Sequence, residues 1–129
     1  MTLLTKLVLA AEFWWTLAGV LVWLRRLPLP ELVQHLNKVS RVRRRHDDPV
    51  RLGQLAAAAL RLPGWQARCL LRCLVAYRVI RRQGGEPVLQ IGIRPDAVDH
   101  ETHSWLELDG RDVGPPPGKG NHEVLVTYC

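Results

Sequence analysis

The sequence predicts an α+β domain, with helices first and a small antiparallel sheet after them. Three observations carry this reading. Up to residue 83 the apolar residues recur at helical spacing, in segments closed by proline or glycine. After Gly84-Gly85 the period changes to short strand-like runs. Between two of those runs, Asp109-Gly110 is a two-residue hairpin signal. The 129 residues suit a single domain, 1–129, helical over 1–62.

The first segment, residues 7–24, is apolar apart from Glu12 and Thr16 and lies between Lys6 and Arg25-Arg26. As a helix it extends about 27 Å, close to a bilayer core of about 30 Å. Two readings stand: a helix docked on the fold or at an interface, and a membrane span. Glu12 favours the first, because an acid at a bilayer centre costs about 2.5–3.5 kcal/mol on insertion scales. A small helical domain also needs one helix buried nearly all round. Trp14, Trp15 and Trp23 suit a subunit groove or a membrane interface.

Pro28 and Pro30 end that helix, and Pro30-Glu31 opens a shorter one over 30–38. The run Arg41-Val42-Arg43-Arg44-Arg45-His46 reads as a solvated linker or a docking patch. Asp47-Asp48-Pro49 combines an Asp N-cap with Pro at the first helical position, so a helix runs over 49–62 until Pro63-Gly64 breaks it. The next helix covers 65–83. Leu70, Leu71, Cys73, Leu74, Val75, Tyr77, Val79 and Ile80 surround most of it, which makes it central. Arg78, Arg81 and Arg82 gather at its C-terminal end, where the dipole favours cations. Strands are expected over 87–94, 102–108, 111–114 and 123–128, with Pro115-Pro116-Pro117-Gly118 stopping the third.

The formal charge of +6, from 18 basic against 12 acidic residues, favours an acidic partner such as a peptide, anionic lipid or another subunit. No nucleic-acid motif accompanies it, so no nucleic acid is expected. Three cysteines, an odd number, without a recognisable secretory signal imply reduced thiols and a cytoplasmic protein. Contact with a membrane surface through residues 7–24 stays open. His100-Glu101-Thr102-His103 is not the zinc pair H-E-x-x-H, and no C-x-x-C occurs, so no metal or cofactor is expected. His35, His46 and His122 have no evident partners and are expected to be exposed.

Cys69 lies near a helix start with Arg68 and Arg72 beside it, which favours a thiolate, and an imidazole would complete its activation. His103 sits on a strand some thirty residues later. By spacing alone, Cys69 also reads as a small core residue, and Cys73, one turn deeper, reads better so.

Further residues join these two. Cys69-Leu70-x-Arg72 is followed by an aliphatic helix ending in Arg81-Arg82-x-Gly84. Then come Leu89-x-Ile91-Gly92-Ile93-Arg94 and His103-x-Trp105-Leu106-Glu107-Leu108-Asp109-Gly110. This order resembles the transglutaminase-like leader peptidases of lasso-peptide biosynthesis, in their short stand-alone form, over about residues 61–114. The resemblance implies a papain-like catalytic core over 63–129 and a thiol mechanism. Cys69 takes the nucleophile's position, Cys73 that of the family's usual serine, and His103 that of the general base. Trp65 and Trp105 would meet substrate. The implied partners are a precursor peptide, a small leader-recognition protein and an asparagine-synthetase-like cyclase.

The family's acid lies about twelve residues after the histidine, where this chain has Pro115. An unbroken hairpin about Asp109-Gly110 sets Leu108 opposite Arg111, Glu107 opposite Asp112 and His103 opposite Pro116. Asp112 is then the candidate third member, although roughly 13 Å along the strand from His103. Asp109, Asn121, Glu123 or a backbone carbonyl remain open as the group that orients the ring. Two further functional readings are a non-catalytic scaffold of the same pathway and a membrane-anchored basic protein with an incidental likeness.

Overall fold

The computed structural model describes residues 2–38, 48–62, 65–66, 69–83, 85–93, 102–115, 119 and 123–128. At Pro49, Leu62, Trp65, Gln66, Cys69 and Thr102 only the backbone is described. The basic run 41–46, Arg68, His100, Asn121, His122 and Cys129 lie outside the described residues.

Helix α1 (Leu3–Leu24) starts earlier than the apolar run because Thr2 caps it, its hydroxyl accepting from Thr5 N at 3.2 Å. One face is buried: Leu9, Glu12, Phe13, Thr16, Leu17 and Val20, at helical spacing. Helix α2 (Leu29–Asn37) follows Pro28 and buries Leu32, Val33 and Leu36. His35, expected to be exposed, is half-buried instead, with its ring centroid 4.4 Å from that of Trp23. Helix α3 (Pro49–Ala59) opens as expected, with Asp48 accepting from Val50 N at 3.2 Å.

The next stretch corrects the sequence reading. Arg61–Leu62 forms strand β1 and Trp65–Gln66 forms β2, paired antiparallel with Leu62 opposite Trp65. The ladder ends α3 before residue 62 and holds 65–66 extended, so helix α4 (Cys69–Arg82) opens at Cys69 rather than at Trp65. Gly85 N closes its far end on Ile80 O at 3.0 Å. As expected, α4 is central: α1, α2 and α3 all pack on it, and Cys73, Leu74, Val75, Ala76, Tyr77, Val79 and Ile80 are buried.

The arginines of α4 tie the helices together. Arg78 Nη1 donates to Leu36 O and Lys38 O, both at 2.7 Å, and Arg81 donates to Asn37 O at 3.2 Å. Two guanidiniums therefore satisfy carbonyls at the C-terminus of α2, where the dipole is negative. Burial, then the charges of Arg82 and Arg81, push Arg78 below the ordinary arginine value. Arg82 Nη1 donates to Glu12 at 3.2 Å and to Thr16 Oγ1 at 2.9 Å. The acid that interrupts the apolar run is thus ion-paired inside the fold. Removing one partner of a largely buried pair leaves the other charge uncompensated. Arg82→Met is expected to lower unfolding stability by about 3 kcal/mol, and adding Glu12→Leu to recover most of that, as read by urea unfolding.

The sheet contains β3 (Val88–Ile93), β4 (Thr102–Leu108), β5 (Arg111–Gly114) and β6 (Glu123–Tyr128), in the order β5-β4-β3-β6, all antiparallel. Helices followed by this sheet make the fold α+β, as the sequence predicts. Asp109 and Gly110 have φ of 52° and 77°, the paired positive values that a tight two-residue hairpin needs. Leu89, Leu106 and Val113 enter the helical core from the sheet. The expected pairs Leu108–Arg111 and Glu107–Asp112 are present, but a bulge follows, and Leu106 pairs with Gly114. Pro116, expected opposite His103, lies outside the described residues. Among the described residues, the last β4–β5 pair is Leu106–Gly114.

Candidate active site

Cys69 is the first residue of a helix of 14 residues. The first turn of a helix leaves backbone N–H groups without partners and carries partial positive charge, which lowers the cost of a thiolate. Arg72 lies three residues on, which puts it on the same side of the helix, and it is half-buried. Its Nε is buried with no hydrogen-bond partner among the described residues. Cys73 is fully buried in the core.

Helix α4 packs on β4, the strand that carries His103. Strand alternation puts His103, Trp105 and Glu107 on one face and Ser104, Leu106 and Leu108 on the other. Leu106 packs into the core. On the opposite face the His103 ring stacks over Trp105, with centroids 6.2 Å apart and planes at 28°. Trp105 is itself anchored. Its Nε1 donates to Glu107 Oε1 at 3.2 Å, and Gln90 Nε2 donates to Glu107 Oε2 at 3.3 Å. Thr127 Oγ1 in turn donates to Gln90 Oε1. These bonds cross β4, β3 and β6, so three strands hold the indole beneath the imidazole.

Gly92 faces His103 across the β3–β4 ladder. A Cβ there would collide with the backbone oxygen of Glu123 and lie 2.9 Å from Cη2 of Trp105. Only glycine lets β6 and the indole approach together at this point. Gly92→Ala is expected to cost about 2 kcal/mol of stability and to reduce the near-ultraviolet circular dichroism of Trp105.

Two expected site residues have other places. Asp112 is exposed, and its carboxylate accepts from Gly114 N at 2.9 Å and Lys119 N at 2.7 Å. It pairs with Glu107, four positions from His103, so it holds its own loop rather than orienting the ring. Trp105, expected to meet substrate, is 0 % exposed and supports His103 from below. Trp65 lies in β2, one strand before the helix that Cys69 opens. Asp109 occupies the hairpin turn, and Glu123 pairs with Ile93 on the far side of β3 from His103.

Sequence reasoning missed Glu107 and Gln90 as members of the site. Glu107 shares its parity with His103 and could have been found by alternation. Gln90 required the cross-strand register. Among the described residues, no group of three or more His, Cys, Asp or Glu is set to hold a metal ion.

A family model of the transglutaminase-like superfamily matches residues 14–127, from within α1 to β6. The chain belongs to the transglutaminase-like superfamily. That superfamily includes cysteine peptidases and transferases. Neither a curated protein nor a solved structure matches the chain. The transglutaminase-like match runs through helices and sheet alike and takes in the second half of α1.

Proposed function

We propose that the protein is a cysteine peptidase that removes the leader from a ribosomally made lasso-peptide precursor. The observation that carries this is the transglutaminase-like match over residues 14–127, with Cys69 at the first residue of α4. The motif spacing about Cys69, Gly92 and His103 supplies the narrower assignment. In this reading His103 takes the Cys69 proton, and the thiolate attacks the scissile carbonyl. The tetrahedral intermediate collapses to a thioester as His103 protonates the departing amine. A water molecule, deprotonated by His103, then hydrolyses the thioester and regenerates the thiol. Trp105, held by Glu107, fixes the imidazole plane. A separate recognition protein holds the leader, and a cyclase takes the freed core. The reaction belongs in the cytoplasm, where the precursor is synthesised.

The test combines the purified protein, its recognition partner and the precursor, with the products weighed by mass spectrometry. Leader and core should appear as two fragments, and iodoacetamide should stop their formation. One observation favours the scaffold reading instead: Asp112, the candidate acid, is turned to its own loop. A scaffold would bind leader and cyclase without cleavage, and Cys69 would alkylate no faster than an ordinary thiol. Selective labelling of Cys69 at neutral pH separates the two.

A further inference from the structure

The outward face of α1 is apolar and uncovered. Leu4 is 72 % exposed and Trp15 78 %, and Leu7, Val8 and Val22 are more than half exposed. These side chains follow one another at helical spacing down a helix of 22 residues, about 33 Å long. Only 33 % of its apolar window is buried in the fold, whereas a core helix is mostly buried. Soluble chains rarely leave so long an apolar stripe open without a binding role.

Charge identifies the occupant. Exposed cations, Arg25 and Arg26, stand at the C-terminal end of the stripe. The helix has one acid, Glu12, and it faces inward to Arg82. No carboxylate therefore opposes an anionic surface along the stripe. Beside it, a groove of about 120 Å³ between α1 and α2 is lined by Trp15, Gly19, Trp23, His35, Arg78 and Arg82. Indoles on an apolar face, with Arg25 and Arg26 at its end, match the boundary between acyl chains and phosphates.

We infer that α1 docks this protein, lying flat, on an anionic phospholipid surface. The helix does not cross the bilayer. Doing so would pull Leu9, Phe13, Leu17 and Val20 out of the core and break the Glu12–Arg82 pair. The stripe enters the acyl boundary while Arg25 and Arg26 meet phosphates. This inference rests on α1 and is independent of the peptidase reading.

The test is co-sedimentation of the full chain with vesicles of phosphatidylcholine and phosphatidylserine in equal parts, and with pure phosphatidylcholine. The chain should partition onto the mixed vesicles and blue-shift its tryptophan emission. Arg25→Gln with Arg26→Gln should weaken partitioning by roughly 30-fold, at about fivefold per cation. The triple variant Val8→Ser, Trp15→Ser, Val22→Ser should lose binding while its melting temperature holds, since all three positions are exposed. Equal binding to both vesicle types, or no binding to either, overturns the inference. Loss of recognition-protein binding in the triple variant, with vesicle binding retained, would assign the stripe to a protein partner and overturn it as well. In cells, alkaline carbonate should release the protein from membranes, and retention there overturns flat docking in favour of a span.

Discussion

Cys69→Ala is expected to lower precursor cleavage by roughly 10⁴–10⁶-fold, the loss seen when a triad nucleophile is removed. Among the described residues, the other thiol cannot replace it. Cys73 is one turn along the helix but fully buried among core side chains, out of reach of a peptide. A serine at position 69 should do little better, because helix-start charge that favours a thiolate cannot ionise a hydroxyl near neutral pH. The substitution leaves the fold alone, since alanine is a strong helix former at any early helical position. Far-ultraviolet circular dichroism and the melting temperature should match the parent, and leader binding by the complex should be unchanged. Mass spectrometry of a timed digest then reads chemistry without a folding artefact. Cleavage within tenfold of the parent would falsify Cys69 as nucleophile.

The same comparison weighs the third member of the site. With Asp112 bound to Gly114 N and Lys119 N, its replacement by asparagine should alter the 111–119 loop more than the reaction. A triad that loses its orienting acid drops by about 10⁴-fold. A small effect of Asp112→Asn would therefore remove Asp112 as the group that orients His103.

The strands were legible because their signals are local. Alternation and the Asp109-Gly110 turn set β4 and β5 to the residue. The start of α4 was not, because the sequence around Trp65 is apolar enough to continue a helix. What excludes it is the pairing of Leu62 with Trp65, and a ladder that short leaves no periodicity to read. The bulge after Glu107 was hidden for another reason. The pairing skips Val113, which packs into the core among residues distant in sequence and so leaves no local signature. Glu12 shows both sides of the limit. The sequence marks it as a conflict within an apolar run, yet its partner Arg82 is 70 residues away. Cys69 and His103 were found through motif spacing, whereas the support under His103 needed the register of three strands.

Trp105→Ala should separate a supporting indole from a substrate contact. The ring is fully buried, and truncating a buried tryptophan costs about 3–5 kcal/mol through lost transfer energy and the cavity left behind. It would also take the Nε1–H donor from Glu107, leave the Gln90 amide bond in place, and remove the surface on which His103 stacks. Urea unfolding should show the stability loss. At a temperature where the variant remains folded, kcat should fall while KM stays near the parent value, because a positioning residue acts on the transition state. Trp105→Phe refills most of the volume without the Nε1–H, so it should recover most of the stability and part of the rate. A residue that met substrate directly would give the opposite pattern: little change in unfolding and a raised KM. The burial of Trp105 beneath His103 requires the first pattern, since a side chain with no exposed surface has none to offer a peptide.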